Sequence, residues 1–193
     1  IVLDGLSRGT LKPKRTILFL TKEEIKDFGG NLPPVIRRLE RRGVEVLILE
    51  NNYRVYNKLP VFLEKDYLAE IDAVTPIADD PIITIDDDKL PPDFMIERFQ
   101  ASYEDNKGVV LNFLMEEMRF SLKDDGQQEV KLGRIYDDSP RMMALTNGLG
   151  GVLYPKNALQ SIRARKLDFL QYSPTNDDVW FRFCNIADGI YCK

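Results

Sequence analysis

Short apolar runs and stretches of helical spacing alternate along the N-terminal part of the chain. Ile1 to Ser7 fits the end of a helix, stopped near Gly9 and by Pro13. Lys14 to Thr21, KRTILFLT, is an apolar run of the kind that forms a buried strand. Lys22 to Phe28 suits one or two helical turns closed by Gly29-Gly30, and Pro33-Pro34 opens a second helix, VIRRLERRG, that stops at Gly43. Val44 to Glu50, VEVLILE, is the next strand. Helix, strand, helix, strand in this order predicts right-handed crossovers and a mostly parallel sheet.

The pattern changes at Pro81 to Asp88. Ile82, Ile83, Thr84 and Ile85 favour a buried strand, run into Asp86-Asp87-Asp88, and are followed by Pro91-Pro92, which stop any continuation. Before it, YNKLPVFLEKDYL predicts a helix opened by Lys58 with Pro60 in its first turn, introduced to the strand by the Asp79-Asp80-Pro81 turn. After it, PPDFMIERFQASYED predicts an amphipathic helix that offers Phe94, Met95, Phe99 and Tyr103 to the core. Gly108 to Phe113 reads as a strand, and Leu114 to Arg134 as weaker strands around a hairpin turn at Asp124-Asp125-Gly126. NGLGGVLYP, Asn147 to Pro155, places glycines before a short apolar stretch, and Pro155 starts the helix KNALQSIRARKL. Last, Asp177-Asp178 open an apolar helix that Thr175 or Asn176 can cap.

At 193 residues, 44% hydrophobic and 30% charged, the composition is that of one globular domain. A net charge of -4 provides no global field for nucleic acid. Arg37, Arg38, Arg41 and Arg42 fit the solvated face of a helix. No apolar run approaches the roughly 20 residues that cross a bilayer, and no secretory signal pattern opens the chain. Its start at IVLDGL without an initiator Met is expected of a piece of something longer. Cys184 and Cys192 fit free thiols or one late disulfide, and no Asn-x-Ser/Thr site is present. A cytoplasmic location is expected, with membrane association through other parts of a longer parent as the alternative.

Absence of histidine restricts the chemistry most. Triads built on histidine and zinc-histidine sites are excluded within these residues, which leaves carboxylates, Lys, Arg, Tyr or a metal. Three adjacent carboxylates at a strand's C-terminal end repel one another unless a cation compensates, and oxygen ligands suit a hard ion such as Mg²⁺ or Mn²⁺. The same residues fit a solvated acidic turn. Lys58 fits a phosphate ligand or an ordinary helix-start lysine. Asp177 and Asp178 fit acids favoured by a helix dipole as well as a reactive pair. The glycine stretch matches neither a dinucleotide fingerprint nor a Walker loop.

Taken in order, LKPKRTILFLTKEE, RRLERRGVEVLILE, YNKLPVFL, DDPIITIDDDKLPPDFMIERF, NGLGGVLYP and NDDVWF resemble the nucleotide-sugar glycosyltransferases of GT-A fold. The likeness is to a group of small-sugar and polysaccharide-building transferases found in microbes and some viruses, and it runs through nearly all of the chain. It implies an α/β fold with a mixed, mostly parallel, Rossmann-like sheet flanked by helices. Residues 1-193 would form a single catalytic domain whose nucleobase-binding first strand precedes residue 1. The implied activity is metal-dependent transfer of a sugar from a nucleotide-sugar donor, a UDP-sugar, to a hydroxyl of a glycan acceptor.

In that resemblance IDDD is the DxD motif. Asp88 binds the Mn²⁺ or Mg²⁺ that bridges the donor diphosphate, and Asp86 assists through the ribose or a metal-bound water. Lys58 and Asp87 belong to the nucleotide-sugar site, and Gly150 and Gly151 let the backbone approach the donor sugar. Asp177 or Asp178 takes the acceptor hydroxyl's proton. A late histidine common among such enzymes has no counterpart here, so either the C-terminus is cut short or water and phosphate oxygens complete the metal's shell. Two alternatives remain: a binding module of the same fold without turnover, and a Mg²⁺-dependent phosphohydrolase with Asp-x-Asp after a strand. Leu90 stands where the hydrolase motif wants Thr or Val.

Overall fold

The computed structural model describes residues 2–59, 80–165 and 167–193. The body of the helix predicted after Lys58, including Pro60, and the turn residue Asp79 lie outside the described residues. Helix α1 (Val2–Arg8) precedes β1 (Thr16–Thr21), α2 (Lys22–Asp27), α3 (Pro34–Glu40) and β2 (Val44–Leu49). Strands β1 and β2 pair in parallel from Thr16 opposite Val44 to Thr21 opposite Leu49. Thr21 ends β1 and caps α2 in one step. Its hydroxyl accepts the Glu24 N–H at 3.2 Å, and Glu24 accepts the Thr21 N–H at 2.7 Å, a capping box that stabilises a short helix by about 1 kcal/mol.

A 3₁₀ turn, Arg54–Lys58, follows β2. Lys58 therefore closes a turn, whereas the sequence reading had it open a helix. Asn52 explains the difference: its side chain accepts the Arg54 N–H at 2.9 Å, and Asn57 accepts the Tyr53 N–H at 2.9 Å. These local bonds draw the backbone into a tight turn ahead of Pro60.

Strand β3 (Ile82–Thr84) leads through the acidic loop to α4 (Met95–Asp105) and then to β4 (Leu111–Asn112). Strands β5 (Met115–Leu122) and β6 (Gln128–Arg134) form a hairpin, β7 (Ala144–Thr146) pairs with β5, and a 3₁₀ turn, Gly148–Gly150, enters β8 (Val152–Tyr154). Helices α5 (Lys156–Ala164), α6 (Phe169–Tyr172) and α7 (Asp177–Ala187) complete the order.

The expected mostly parallel sheet is corrected. Among the described residues β1 and β2 pair in parallel and a single parallel bridge joins Val110 to Cys192; β3-β8-β4 and β6-β5-β7 are antiparallel three-stranded sheets. The crossover through α4 does leave β3 and β4 pointing the same way, as a helical connection should. However, β8 returns between them, antiparallel to both. The Asp124-Asp125-Gly126 turn is too short for a parallel crossover, so β6 folds back antiparallel on β5.

Strand β8 is the centre of the core. Paired on both edges, it is buried throughout. Its side chains alternate between two clusters: Val152 and Tyr154 pack with Ala158, Ile162, Phe181 and Cys184, while Leu153 packs with Met95, Ile96, Phe99 and Leu111. Phe94, expected in the core, is 49% exposed and stands just ahead of α4; Ile96 is buried on the inward face with Met95 and Phe99. Cys184 and Cys192 are free thiols, both buried, and burial raises the pKa of each, to about 12 and about 11.

Candidate functional site

Four segments far apart in the chain meet at one cluster of charge. The turn Arg54–Lys58 presents Lys58, the loop after β3 presents Asp86, the first turn of α7 presents Asp177 and Asp178, and the turn Gly148–Gly150 closes the group with backbone. Tyr56 locks the first of these to the third. Its ring, fully buried, stacks on Phe169 with centroids 3.9 Å apart, and its hydroxyl donates to the carbonyls of Ser173 and Asn176, the latter at 3.0 Å. Burial raises the tyrosine's pKa to about 12, so it remains a donor. Asn176 in turn caps α7 by accepting the Val179 N–H at 3.0 Å, which leaves Asp177 and Asp178 in the first turn, where the helix dipole favours negative charge.

Lys58 stands inside the group. Its Nζ lies 2.8 Å from Asp86 Oδ1, 2.7 Å from Asp177 Oδ2 and 3.6 Å from Asp178 Oδ1. Burial by itself would lower the lysine's pKa; the charges of Asp177 and Asp178 and its bonds to Asp177 and Asp86 outweigh that, and the net shift is upward. The ammonium is thus permanently charged in the neutral pH range. Asp177, only 7% exposed, is raised by burial, which the neighbouring Lys58 offsets in part. Tyr154 lies beneath the cluster, its own pKa raised by burial and then by Asp178, Asp177 and Asp86. Three carboxylates facing one ammonium leave a surplus of negative charge in the pocket.

Gly148 contributes backbone where a side chain has no room. Its N–H donates to Asp178 Oδ2 at 2.8 Å. A Cβ there would lie 2.7 Å from Asp86 Oδ2, 3.0 Å from Lys58 Nζ and 3.2 Å from Asp178 Oδ1. Asn112 holds this turn at both ends: its side-chain amide donates to the carbonyls of Asn147 at 3.0 Å and Gly151 at 2.6 Å, and its Oδ1 accepts the Asn147 N–H at 3.0 Å. Sequence reasoning singled out Gly150 and Gly151 and passed over Gly148 and Asn112. The close approaches at the two chosen glycines are to the protein itself. A Cβ at Gly150 would meet Phe113 Cβ at 2.9 Å, and Gly151, with φ +80°, faces Met95, Phe99 and the Thr84 carbonyl. The run of glycines was visible in the sequence; which one meets the acids depends on the Asn112 clamp, whose partners lie more than thirty residues away.

Asp87 and Asp88 are exposed, and Asp88, with 62% of its side chain exposed, pairs with Lys89 at 3.8 Å. Together with Lys58, Asp86, Asp177 and Asp178 they line a cleft of about 1340 Å³. Among the described residues no group of three Asp, Glu, Cys or His side chains is arranged to hold an ion unaided. The acids that line the cleft offer oxygen donors, the class that suits a hard divalent ion taking further ligands from phosphate and water. Among the described residues no helix is long and apolar enough to cross a membrane.

A scan of the chain against protein-family models finds no match, and a search of curated proteins finds none either.

Proposed function

We propose that the chain is a metal-dependent glycosyltransferase of GT-A type, moving a sugar from a nucleotide-sugar donor to a hydroxyl of a glycan. The observation that carries this reading is the convergence of the Asp86 loop, Lys58 and the Asp177-Asp178 helix start on one cleft, since transfer needs a donor-side acid and an acceptor-side acid in reach of each other. Asp88, with Asp86, would hold the Mn²⁺ or Mg²⁺. When bound, such an ion supplies neutralisation of the charge that gathers on the departing nucleoside diphosphate.

The chain's own residues do the rest. We assign the proton of the acceptor hydroxyl to Asp178, the more exposed of the pair at 23% of its side chain, whose Oδ2 accepts the Gly148 N–H and whose Oδ1 is buried 3.6 Å from the Lys58 ammonium. Asp177, deeper and in contact with Lys58, is the less accessible of the two. The hydroxyl oxygen forms the new bond to the anomeric carbon, the bond from that carbon to the diphosphate oxygen breaks, and the proton passes to the carboxylate. Asp87, exposed beside Asp86, is the remaining side chain open to the donor, while Gly150 and Gly151 face the protein's own Phe113, Met95 and Phe99.

The test is a panel of nucleotide-sugars with Mn²⁺, scored by thermal stabilisation, donor hydrolysis and transfer. At a hundredfold excess over Kd a ligand stabilises by about 2.7 kcal/mol, a rise in Tm on the order of 5–10 °C for a domain of this size. Asp88→Ala is expected to abolish the Mn²⁺-dependent part. Equal stabilisation of the variant and the wild type overturns the metal assignment; binding with neither transfer nor hydrolysis overturns the enzymatic one.

A further inference from the structure

The geometry points to Lys58 as a positioning residue that joins the donor-side and acceptor-side acids of the cleft, rather than as a ligand of the donor; the inference rests on the glycosyltransferase reading. A lysine that binds a phosphate presents its ammonium to the ligand. Here the ammonium is enclosed by the protein's own carboxylates, Asp86 at 2.8 Å, Asp177 at 2.7 Å and Asp178 at 3.6 Å, with 19% of the side chain exposed. Its stem is anchored as firmly as its head. Tyr56, two residues earlier, is bound to the loop that leads into α7, so the distance from the turn to the Asp177-Asp178 helix start is set by the Ser173 and Asn176 carbonyls.

Without the ammonium, three carboxylates from two different elements would face one another in a partly buried space, and repulsion would drive the Asp86 loop away from α7. With it, both sides are drawn to one point, and the Gly148 N–H fixes the remaining oxygen of Asp178. Lys58 thereby holds the acceptor-side acid at a set distance from the loop that meets the donor. Gly148 is the steric counterpart of the same device: its hydrogen atom occupies the space between Asp86 and Lys58 that a methyl group would have to open.

The two roles separate in kinetics. A donor ligand removed weakens donor binding; a positioning residue removed lowers turnover while donor binding holds. Lys58→Met and Gly148→Ala, each checked for an unchanged melting profile, are compared with the wild type by calorimetry with the nucleoside diphosphate and Mn²⁺ and by transfer kinetics. The expected result for both is a fall in kcat of about 100-fold with the diphosphate's Kd within about threefold of the wild type, and partial recovery in Lys58→Arg. Should Lys58→Met unfold, Gly148→Ala carries the test, since it keeps the lysine and crowds the point where Asp86, Lys58 and Asp178 meet. A Kd weakened tenfold or more in Lys58→Met, with kcat retained at saturating donor, overturns the inference alone. A wild-type protein that binds no nucleoside diphosphate overturns the glycosyltransferase reading and this inference with it.

Discussion

Arg182 is 2% exposed, and its partners are backbone carbonyls: Nε donates to Ala144 at 2.6 Å, Nη1 to Ile190 at 2.8 Å, and Nη2 to Arg141 at 3.2 Å and to Met142. Burial lowers its pKa, yet a guanidinium keeps its charge, and four partially negative oxygens compensate in place of a carboxylate. From sequence it is one basic residue inside DDVWFRFCNIA, on a helix whose neighbours are apolar, and nothing nearby in the chain identifies those carbonyls as its partners. Arg182→Leu takes this donor from all four, of which Arg141 keeps the Cys192 N–H at 3.0 Å and Ala144 the Cys192 thiol at 3.3 Å, and is expected to cost about 3 kcal/mol. Arg182→Lys should recover little, because a point ammonium cannot reach all four oxygens as a planar fork does. Urea denaturation of the two variants checks this; a loss under about 1 kcal/mol in the leucine variant would show that the carbonyls find water instead.

Among the elements, the Gly148–Gly150 turn depends most on a single outside residue. Asn112→Ala removes two donated bonds and one accepted bond, and a loss of about 2 kcal/mol is expected in chemical denaturation. Asn112→Asp sets a carboxylate oxygen against those two carbonyl oxygens and should lose at least as much as the alanine variant; equality of all three proteins would exclude the clamp. This is where sequence and structure part. Apolar runs such as TILFLT and VEVLIL, the prolines ahead of α3 and α5, the Asp124-Asp125-Gly126 hairpin and the Asn176 cap were readable because each depends on residues close in the chain. The direction of pairing in the central sheet was not, since β8 gains its place by inserting between two strands that are parallel to each other. The same limit applies to the site. Lys58, Asp86, Asp177 and Asp178 stood out by type, whereas the bonds among them span up to 120 residues, and Gly148 is distinguished from its neighbouring glycines only by what it faces.

Across the whole molecule, protection is unevenly spread. The β5-β6 hairpin exposes Phe120, Leu122, Val130 and Leu132 on one face, while Val152, Leu153 and Tyr154 in β8 are buried and bonded on both edges. Backbone amides of β8 are therefore expected to exchange with solvent deuterons slowest and those near Asp124-Asp125-Gly126 fastest. Comparable rates in the two segments would mean that the hairpin and the central sheet open as one unit. The alternation of β8 between two clusters has a further consequence for descent by mutation. Because Leu153 answers to one compartment and Val152 and Tyr154 to the other, changes that repack the α4 side need no matching change on the α5 and α7 side. The two halves of the core can drift at separate rates while the strand between them stays put, and lineages can differ widely in one half with the charged cleft at the end of β3 undisturbed.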